Sequence, residues 1–304
     1  MKQIAAVDIG GTKIASGVVR EDGAILSQRE CATDAKGGFP AAMSQVKRML
    51  HEMEKQGHAF EGIGIGCPGP LDPLTGVIGD VGTLPGWQGG NLAAELGREF
   101  GRSVAVENDA DAAALAEQAW GAARGTGNYI YVTISTGIGG GMILGGKLYR
   151  GAGGAHPEVG HQAIDPSGPL CYCKLNGCWE SLASGSAMEA WMQQQHPRSA
   201  PISAREICEL ASSGDKQALL CLEREAHYLG IGLANLITLF SPDMIGLGGG
   251  LMQSSSLFLE ATVRLINEVC TQVPVHNTRI VLAALGNRVG LLGAAQCWLR
   301  RNPG

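Results

Sequence analysis

Short apolar runs, each closed by glycine or a small polar residue, alternate along this chain with segments whose apolar residues recur at helical spacing. Residues 4–8 form a run that ends on Asp8, and the turn Ile9-Gly10-Gly11-Thr12-Lys13 leads to a second run over 14–19. Another turn, Glu21-Asp22-Gly23-Ala24, opens a third over 25–31, so the chain is expected to begin with three strands joined by tight turns. Between 39 and 56 the residues Met43, Val46, Leu50 and Met53 fall three or four apart, which predicts an amphipathic helix. A strand over 63–66 ends at Cys67-Pro68-Gly69-Pro70. A helix over 92–100, a strand over 104–106 and an alanine-rich helix over 110–120 follow.

The second half starts in a similar way. A strand over 128–135 meets the glycine turn Thr136-Gly137-Ile138-Gly139-Gly140-Gly141 and returns to Leu144. Residues 151–180 carry glycine, proline and cysteine without periodicity and read as irregular. Helices are expected at 184–193, 204–212, 216–240, 255–270 and 290–299, with strands at 244–247 and 279–283. No fixed-period repeat is present. The turn Arg124-Gly125-Thr126-Gly127 is the expected boundary between halves.

Composition narrows the class. Apolar residues make up 45% of the 304 and charged residues 17%, enough for a sizeable core. The net charge of −5 and the lack of a basic block argue against nucleic acid as a partner. No apolar run reaches the ~18 residues of a membrane span, and the N-terminus lacks the features of a signal peptide. A cytoplasmic protein is expected, in which nine cysteines serve as thiols or metal ligands instead of a disulfide framework. Glycine, 46 of 304, is about twice its ordinary share, which suits tight turns and close approach of backbone to ligand.

Four motifs carry candidate chemistry. In Asp8-Ile9-Gly10-Gly11-Thr12-Lys13 the glycines would let backbone N–H groups approach phosphate oxygens, with Thr12 as a hydroxyl donor. Asp8, ending a strand, is placed to meet a water-bound Mg²⁺. The same residues also suit a plain hairpin. Around Thr136, Gly137 and Gly139 hydroxyls and glycines again sit at a strand-to-strand turn, and Gly248-Gly249-Gly250 would suit the approach of an adenosine. In Glu107-Asn108-Asp109-Ala110, Asp109 follows a strand and opens a helix. It could cap that helix, or act as a general base on a substrate hydroxyl that Asn108 also binds.

The fourth motif is the most specific. His161 precedes Cys171, Cys173 and Cys178, so one imidazole and three thiolates within eighteen residues make up a Cys₃His set suited to tetrahedral zinc. Four protein ligands leave no open position, so the zinc is expected to be structural. Glu158 and Glu180 flank the set. A zinc knot would hold both carboxylates as rigid acceptors for sugar hydroxyls. His156 is left without a role.

Taken in order, DIGGTK at 8–13, GCPGP at 66–70, LPGW at 84–87, ENDA at 107–110, STGIGGG at 135–141, PEVGH at 157–161, CYCKLNGCWE at 171–180, GGG at 248–250 and LGNRVGLLGAA at 285–295 resemble the ROK family of sugar kinases and sugar-responsive repressors over nearly the whole chain. The resemblance implies an α/β, two-domain, actin- and hexokinase-like (ribonuclease H-like) fold with an interdomain cleft. A small α/β domain over 1–122 would be joined by the C-terminal helix 290–304, and a large α/β domain over 123–289 would carry the zinc loop. It implies that Asp109 is the catalytic base and that Asn108, Glu158, His161, Glu180 and Gly69 bind the sugar, with His161 also a zinc ligand. ATP with Mg²⁺ would lie on Asp8, Gly10, Gly11, Thr12, Lys13, Thr136, Gly137, Gly139 and Gly249. One departure stands out: family members often carry glycine after the second cysteine, where this chain has Lys174.

The resemblance points to phosphorylation of a hexose at its 6-hydroxyl, glucose first, with N-acetylmannosamine or N-acetylglucosamine and then fructose as alternatives. A homodimer or homotetramer would be usual for such kinases. A sugar-responsive repressor is the rival class. Family repressors carry a helix-turn-helix before the first strand, and here that strand begins within the first few residues, so this reading is set aside.

Overall fold

The structure is a computed structural model that describes residues 1–34, 36–195 and 200–303. The chain divides into two compact units, one of Met1–Gly125, Gly141–Pro157 and Ala284–Gly304, the other of Thr126–Gly140 and Glu158–Ala283.

The first unit opens with strands β1 (Gln3–Ile9), β2 (Lys13–Arg20) and β3 (Ile25–Ala32), the antiparallel meander that the turns predict. Helix α1 (Gly38–Lys55) buries Met43, Val46, Leu50 and Met53, the stripe read from the sequence. Strand β4 (Gly62–Cys67), helix α2 (Leu92–Phe100), strand β5 (Ser103–Asn108) and helix α3 (Asp109–Trp120) follow. The sheet order is β3-β2-β1-β4-β5, with β4 parallel to both β1 and β5. Gly66 pairs with Asp8 on one side and Glu107 on the other, so β1, β4 and β5 end together. All of β4 is buried, as a strand with helices on both faces requires.

The second unit begins with β6 (Tyr129–Ile134) and turns into β7 (Ile138–Leu144), within which the chain passes back to the first unit and the short β8 (Lys147–Leu148). It continues through α4 (Trp179–Ala183), α5 (Gly185–Gln195), α6 (Ala204–Ser212) and α7 (Lys216–Phe240), then β9 (Met244–Gly248), α8 (Leu259–Val269) and β10 (Arg279–Leu282). The second sheet runs β10-β9-β6-β7-β8. Three features were not legible beforehand. A turn of helix, α4, follows the cysteines directly. Residues 250–257 form 3₁₀ turns. The helix expected over 255–270 starts only at Leu259.

The last helix, α9 (Val289–Arg301), belongs to the first unit. It lies against the sheet so closely that a side chain at Gly64 would run into the Ala294 carbonyl, and one at Gly62 into the Trp298 indole. The chain enters α9 past Glu117, whose buried carboxylate accepts the N–H groups of Ala122 at 2.8 Å, Ala284 at 3.1 Å and Leu285 at 2.8 Å. One acid on α3 thus satisfies the loop that delivers the C-terminal helix. The expected helix extends to 304, and that last position lies outside the described residues. No helix among the described residues is long and apolar enough to cross a membrane.

Glu225, on α7, is fully buried, and neither of its carboxylate oxygens has a hydrogen-bond partner among the described residues. Burial pushes its carboxyl up to about 8, against a smaller opposing pull from Arg224. The native state therefore holds a proton that the unfolded chain releases near pH 4.5, and stability falls as the pH rises from there to about 8. Glu225→Gln removes that penalty. The thermal midpoint of the variant should match the parent near pH 5 and exceed it by roughly 3–5 °C at pH 8. Melting curves across that range provide the check.

Candidate active site

In the first unit the candidate residues gather where β1, β4 and β5 end, the edge at which parallel α/β sheets commonly bind ligands. Asn108 is the N-cap of α3: its Oδ1 accepts from Ala110 N at 2.8 Å and from Asp111 N at 3.3 Å. The capping role that the sequence allowed for Asp109 thus falls mainly to Asn108. Asp109 becomes the first helical residue and is exposed, with Oδ1 at 2.8 Å from Ala110 N. The Asn108 amide packs against Gly69, where a Cβ would come within 3.3 Å of Nδ2.

Asp8 is half-buried at the end of β1, its carboxylate filling the space that a side chain on Gly290 of α9 would need. Burial first, then the negative charge of Asp109, pushes its carboxyl up to about 6, while Lys13 pulls the other way. Two neighbouring acids, one already raised by the other, are a donor set that a divalent cation would offset. In the hairpin beyond Asp8, Gly10 N donates to Lys13 O at 2.8 Å and Thr33 Oγ1 donates to Gly10 O at 2.7 Å. Thr12 and Lys13 are exposed, and the ammonium of Lys13 pairs with Glu30 at 3.1 Å.

His156, left without a role above, lies with Nδ1 2.9 Å from Asp111 Oδ2. Asp111 is 1% exposed on the first turn of α3. Burial raises its carboxyl and the imidazole opposes that shift. The pair ties the segment 151–157 to the helix that carries Asp109.

In the second unit the turn between β6 and β7 is held by Glu180, whose Oε2 accepts from Ile138 N at 2.8 Å. A side chain at Gly137 would occupy the position of that carboxylate, so the acid and the glycine require one another. Thr136 lines a cavity of about 690 Å³, together with Ser186 and Glu189 of α5, Arg205 of α6, Gly250 and Gln253. Gly249, with φ of +92°, turns the chain past the backbone of Ile134 into that wall. Gly139 lies within β7. The residues from α5 and α6 escaped the sequence reading because they belong to no motif. The one available signal was the Ser-Gly-Ser at 184–186 where α5 begins.

His161, Cys171, Cys173 and Cys178 come together, with their ligand atoms all within 4.8 Å of one another. His161 Nδ1 is 3.6 Å from Cys171 Sγ, and Cys173 Sγ is 3.3 Å from Cys178 Sγ. Tetrahedral zinc with bonds of ~2.0–2.3 Å needs ligand separations of roughly 3.3–3.8 Å. The donor set fits that ion, and the His161–Cys171 and Cys173–Cys178 pairs lie at such separations. The loop is seated on α7: Trp179 is buried against Gly232, Gln162 Oε1 accepts from Asn235 Nδ2 at 2.9 Å, and Tyr228 Oη donates to Asp165 at 3.1 Å. Glu158, exposed, lies three residues before His161. Tyr172, which the sequence reading passed over, places its hydroxyl 2.8 Å from His161 Nε2. Its phenol is raised well above the usual value by burial first, then by Glu180 and Glu158.

The first unit thus presents an exposed acid at a helix start, and the second a four-donor sulfur and imidazole cluster. The ROK family sequence profile matches residues 4–301, and the chain belongs to that family. A glucokinase from Streptomyces coelicolor is 35% identical over 98% of this chain and 97% of its own. Among solved structures, a ROK hexokinase from Thermus thermophilus has a TM-score of 0.86 and 38% identity, covering 99% of this chain and all of that one. A ROK glucokinase from Streptomyces griseus, in complex with glucose and AMPPNP, has a TM-score of 0.83 and 33% identity over 96% of this chain and 98% of its own. The α/β, actin- and hexokinase-like fold expected from the motifs is the fold observed.

Lys174, where relatives were expected to carry glycine, has φ of +75°, in the left-handed region that a side chain disfavours by about 1–2 kcal/mol. The Cys171–Leu175 turn is kept by Lys174 N donating to Cys171 O at 2.9 Å and Cys171 N donating to Leu175 O at 2.8 Å. Lys174→Gly should stabilise the loop by about 0.5–1 kcal/mol. Slower loss of bound metal to a chelator, compared with the parent, is the measurement.

Proposed function

We propose that this chain transfers the γ-phosphoryl group of ATP to the 6-hydroxyl of glucose. The observation that carries this reading is the placement of Asp109: it is exposed at the first position of α3, with the cap of that helix supplied by Asn108, and it lies beside Asp8 where three parallel strands end. The glucose-phosphorylating relatives support the substrate.

Asp109 accepts the hydroxyl proton as the 6-oxygen forms its bond to the γ-phosphorus and the bond from that phosphorus to the departing ADP oxygen breaks. Mg²⁺, when bound, neutralises phosphate charge. Asp8 would hold it through water, and the raised carboxyl of Asp8 fits such a role. The backbone of Gly10 and Gly11, with Thr12 and Lys13, lies beside the phosphates. The cavity next to Thr136 and Gly250 takes the nucleoside, with Gly137, Gly139 and Gly249 shaping its glycine turns. Asn108, Gly69, Glu158, His161 and Glu180 bind the sugar hydroxyls. One oxygen of Glu180 is already engaged by Ile138 N, so its other oxygen is the one offered. His161 and the three cysteines hold zinc, which is structural: it fixes the loop between Glu158 and Glu180 and takes no part in the transfer.

Asp109→Asn keeps the shape of the side chain and removes the base. It should lower kcat by about 10²–10⁴-fold with the thermal midpoint retained. ADP release measured over a panel of hexoses and N-acetylhexosamines checks both the residue and the substrate. Near-normal turnover in the folded variant, or turnover on N-acetylmannosamine with none on glucose, would defeat the reading. Elemental analysis should find about one zinc per chain, and stripping it should lower the thermal midpoint. A chain that is folded and fully active with no metal would rule out the structural role.

A further inference from the structure

Tyr172 is in direct contact with His161, one of the side chains assigned to the sugar, and that assignment gives it no part. It stands between two cysteines of the cluster, with its ring exposed to solvent and its hydroxyl turned inward. The ring meets the imidazole of His161 edge-on, centroids 4.9 Å apart and planes at 87°. The hydroxyl is 2.8 Å from Nε2, while the opposite nitrogen, Nδ1, faces Cys171 Sγ at 3.6 Å. An imidazole whose Nδ1 lone pair serves the thiol cluster carries its hydrogen on Nε2. His161 Nε2–H therefore donates to the Tyr172 oxygen.

That hydrogen is the one polar contact His161 retains for a sugar once Nδ1 is committed to metal, and it serves one acceptor at a time. Glu180 and Glu158 also act on the Tyr172 hydroxyl electrostatically. The phenol oxygen thus occupies the one position from which a sugar hydroxyl could accept this hydrogen.

We propose that the Tyr172 hydroxyl is a place-holder for a sugar hydroxyl on His161 Nε2, and that the bound sugar displaces it. This rests on the reading of the chain as a hexose kinase. The exposed ring turns away without opening any core. In the free protein the contact keeps the hydrogen on Nε2 and the lone pair of Nδ1 toward the thiols. On binding, one hydrogen bond replaces another, so the place-holder reduces sugar affinity by about the worth of one net hydrogen bond. It also penalises any ligand lacking the hydroxyl that would replace the phenol.

Glucose binding to the zinc-loaded chain, measured by calorimetry without nucleotide, is the test, with Tyr172→Phe as the variant. Phenylalanine keeps the ring against His161 and deletes only the hydroxyl. The expected result is glucose binding about fivefold tighter than in the parent, a matching fall in the KM for glucose, an unmoved KM for ATP, and equal zinc per chain. Tyr172→Leu, lacking the ring as well, should shift glucose affinity in the same direction. Unchanged or weaker glucose binding by the phenylalanine variant overturns the proposal. So does loss of zinc from it, which would make Tyr172 a support of the ligand set. A parent that neither binds nor phosphorylates any hexose defeats the kinase reading itself. A parent that does both, beside a variant that binds glucose equally, defeats only the place-holder.

Discussion

Helix α9 lies on β1 and β4 at a distance that ordinary side chains would not allow, and the first unit depends on that approach. Gly62 and Gly64 give up their side chains so that Trp298 and the Ala294 backbone can reach the sheet. Burying the apolar face of α9, with Leu291, Leu292, Ala294 and Trp298, supplies the favourable term. The same approach sets the chemistry, because the Asp8 carboxylate occupies the space left by Gly290 in the first turn of α9. The carboxylate of Glu117, satisfied by three backbone N–H groups, holds the entry to this helix in place. A helix formed by the last residues of the chain thereby sets the environment of an acid near its beginning.

The second unit solves a different problem. Its loop over 158–178 has little regular structure and few buried apolar side chains, so a sulfur and imidazole cluster gathers it from within and Trp179 fastens it to α7. Glu180 then links this loop to the β6–β7 turn through one hydrogen bond to Ile138. Within this unit Cys178 and Glu180, two residues apart, thus connect the cluster to the turn that holds Thr136 and Gly137.

Several acids in this protein sit where water cannot stabilise them. Asp8, Asp111 and Glu225 are all raised chiefly by burial. Asp8 is raised further by a second acid and Asp111 is relieved by His156, whereas Glu225 has no hydrogen-bond partner for either oxygen among the described residues. The first two stand beside Asp109 or on its helix, at the site proposed for binding and transfer, where perturbed acids commonly cluster. Glu225 lies inside the helical layer, where the unpaired carboxyl costs stability.

Periodicity and turn chemistry were legible in the sequence. The stripe of Met43, Val46, Leu50 and Met53 and the single helix over 216–240 formed as read, because both depend on local spacing and on apolar residues that any core would take. The Cys₃His set was legible too, since thiolates and an imidazole at that spacing have few other uses. What the sequence left open was how each polar side chain spends its hydrogen bonds. Asn108 or Asp109 could each have capped α3, and Glu180 read as an acceptor for ligand alone. Tyr172 stood inside a motif that marked only its cysteines and Glu180, and the cavity residues of α5 and α6 belonged to none. Those choices depend on which donors the tertiary fold brings within about 3 Å, a distance set by packing between residues far apart in the chain. The kinds of groups were therefore determined locally, and only their partners were decided by the fold.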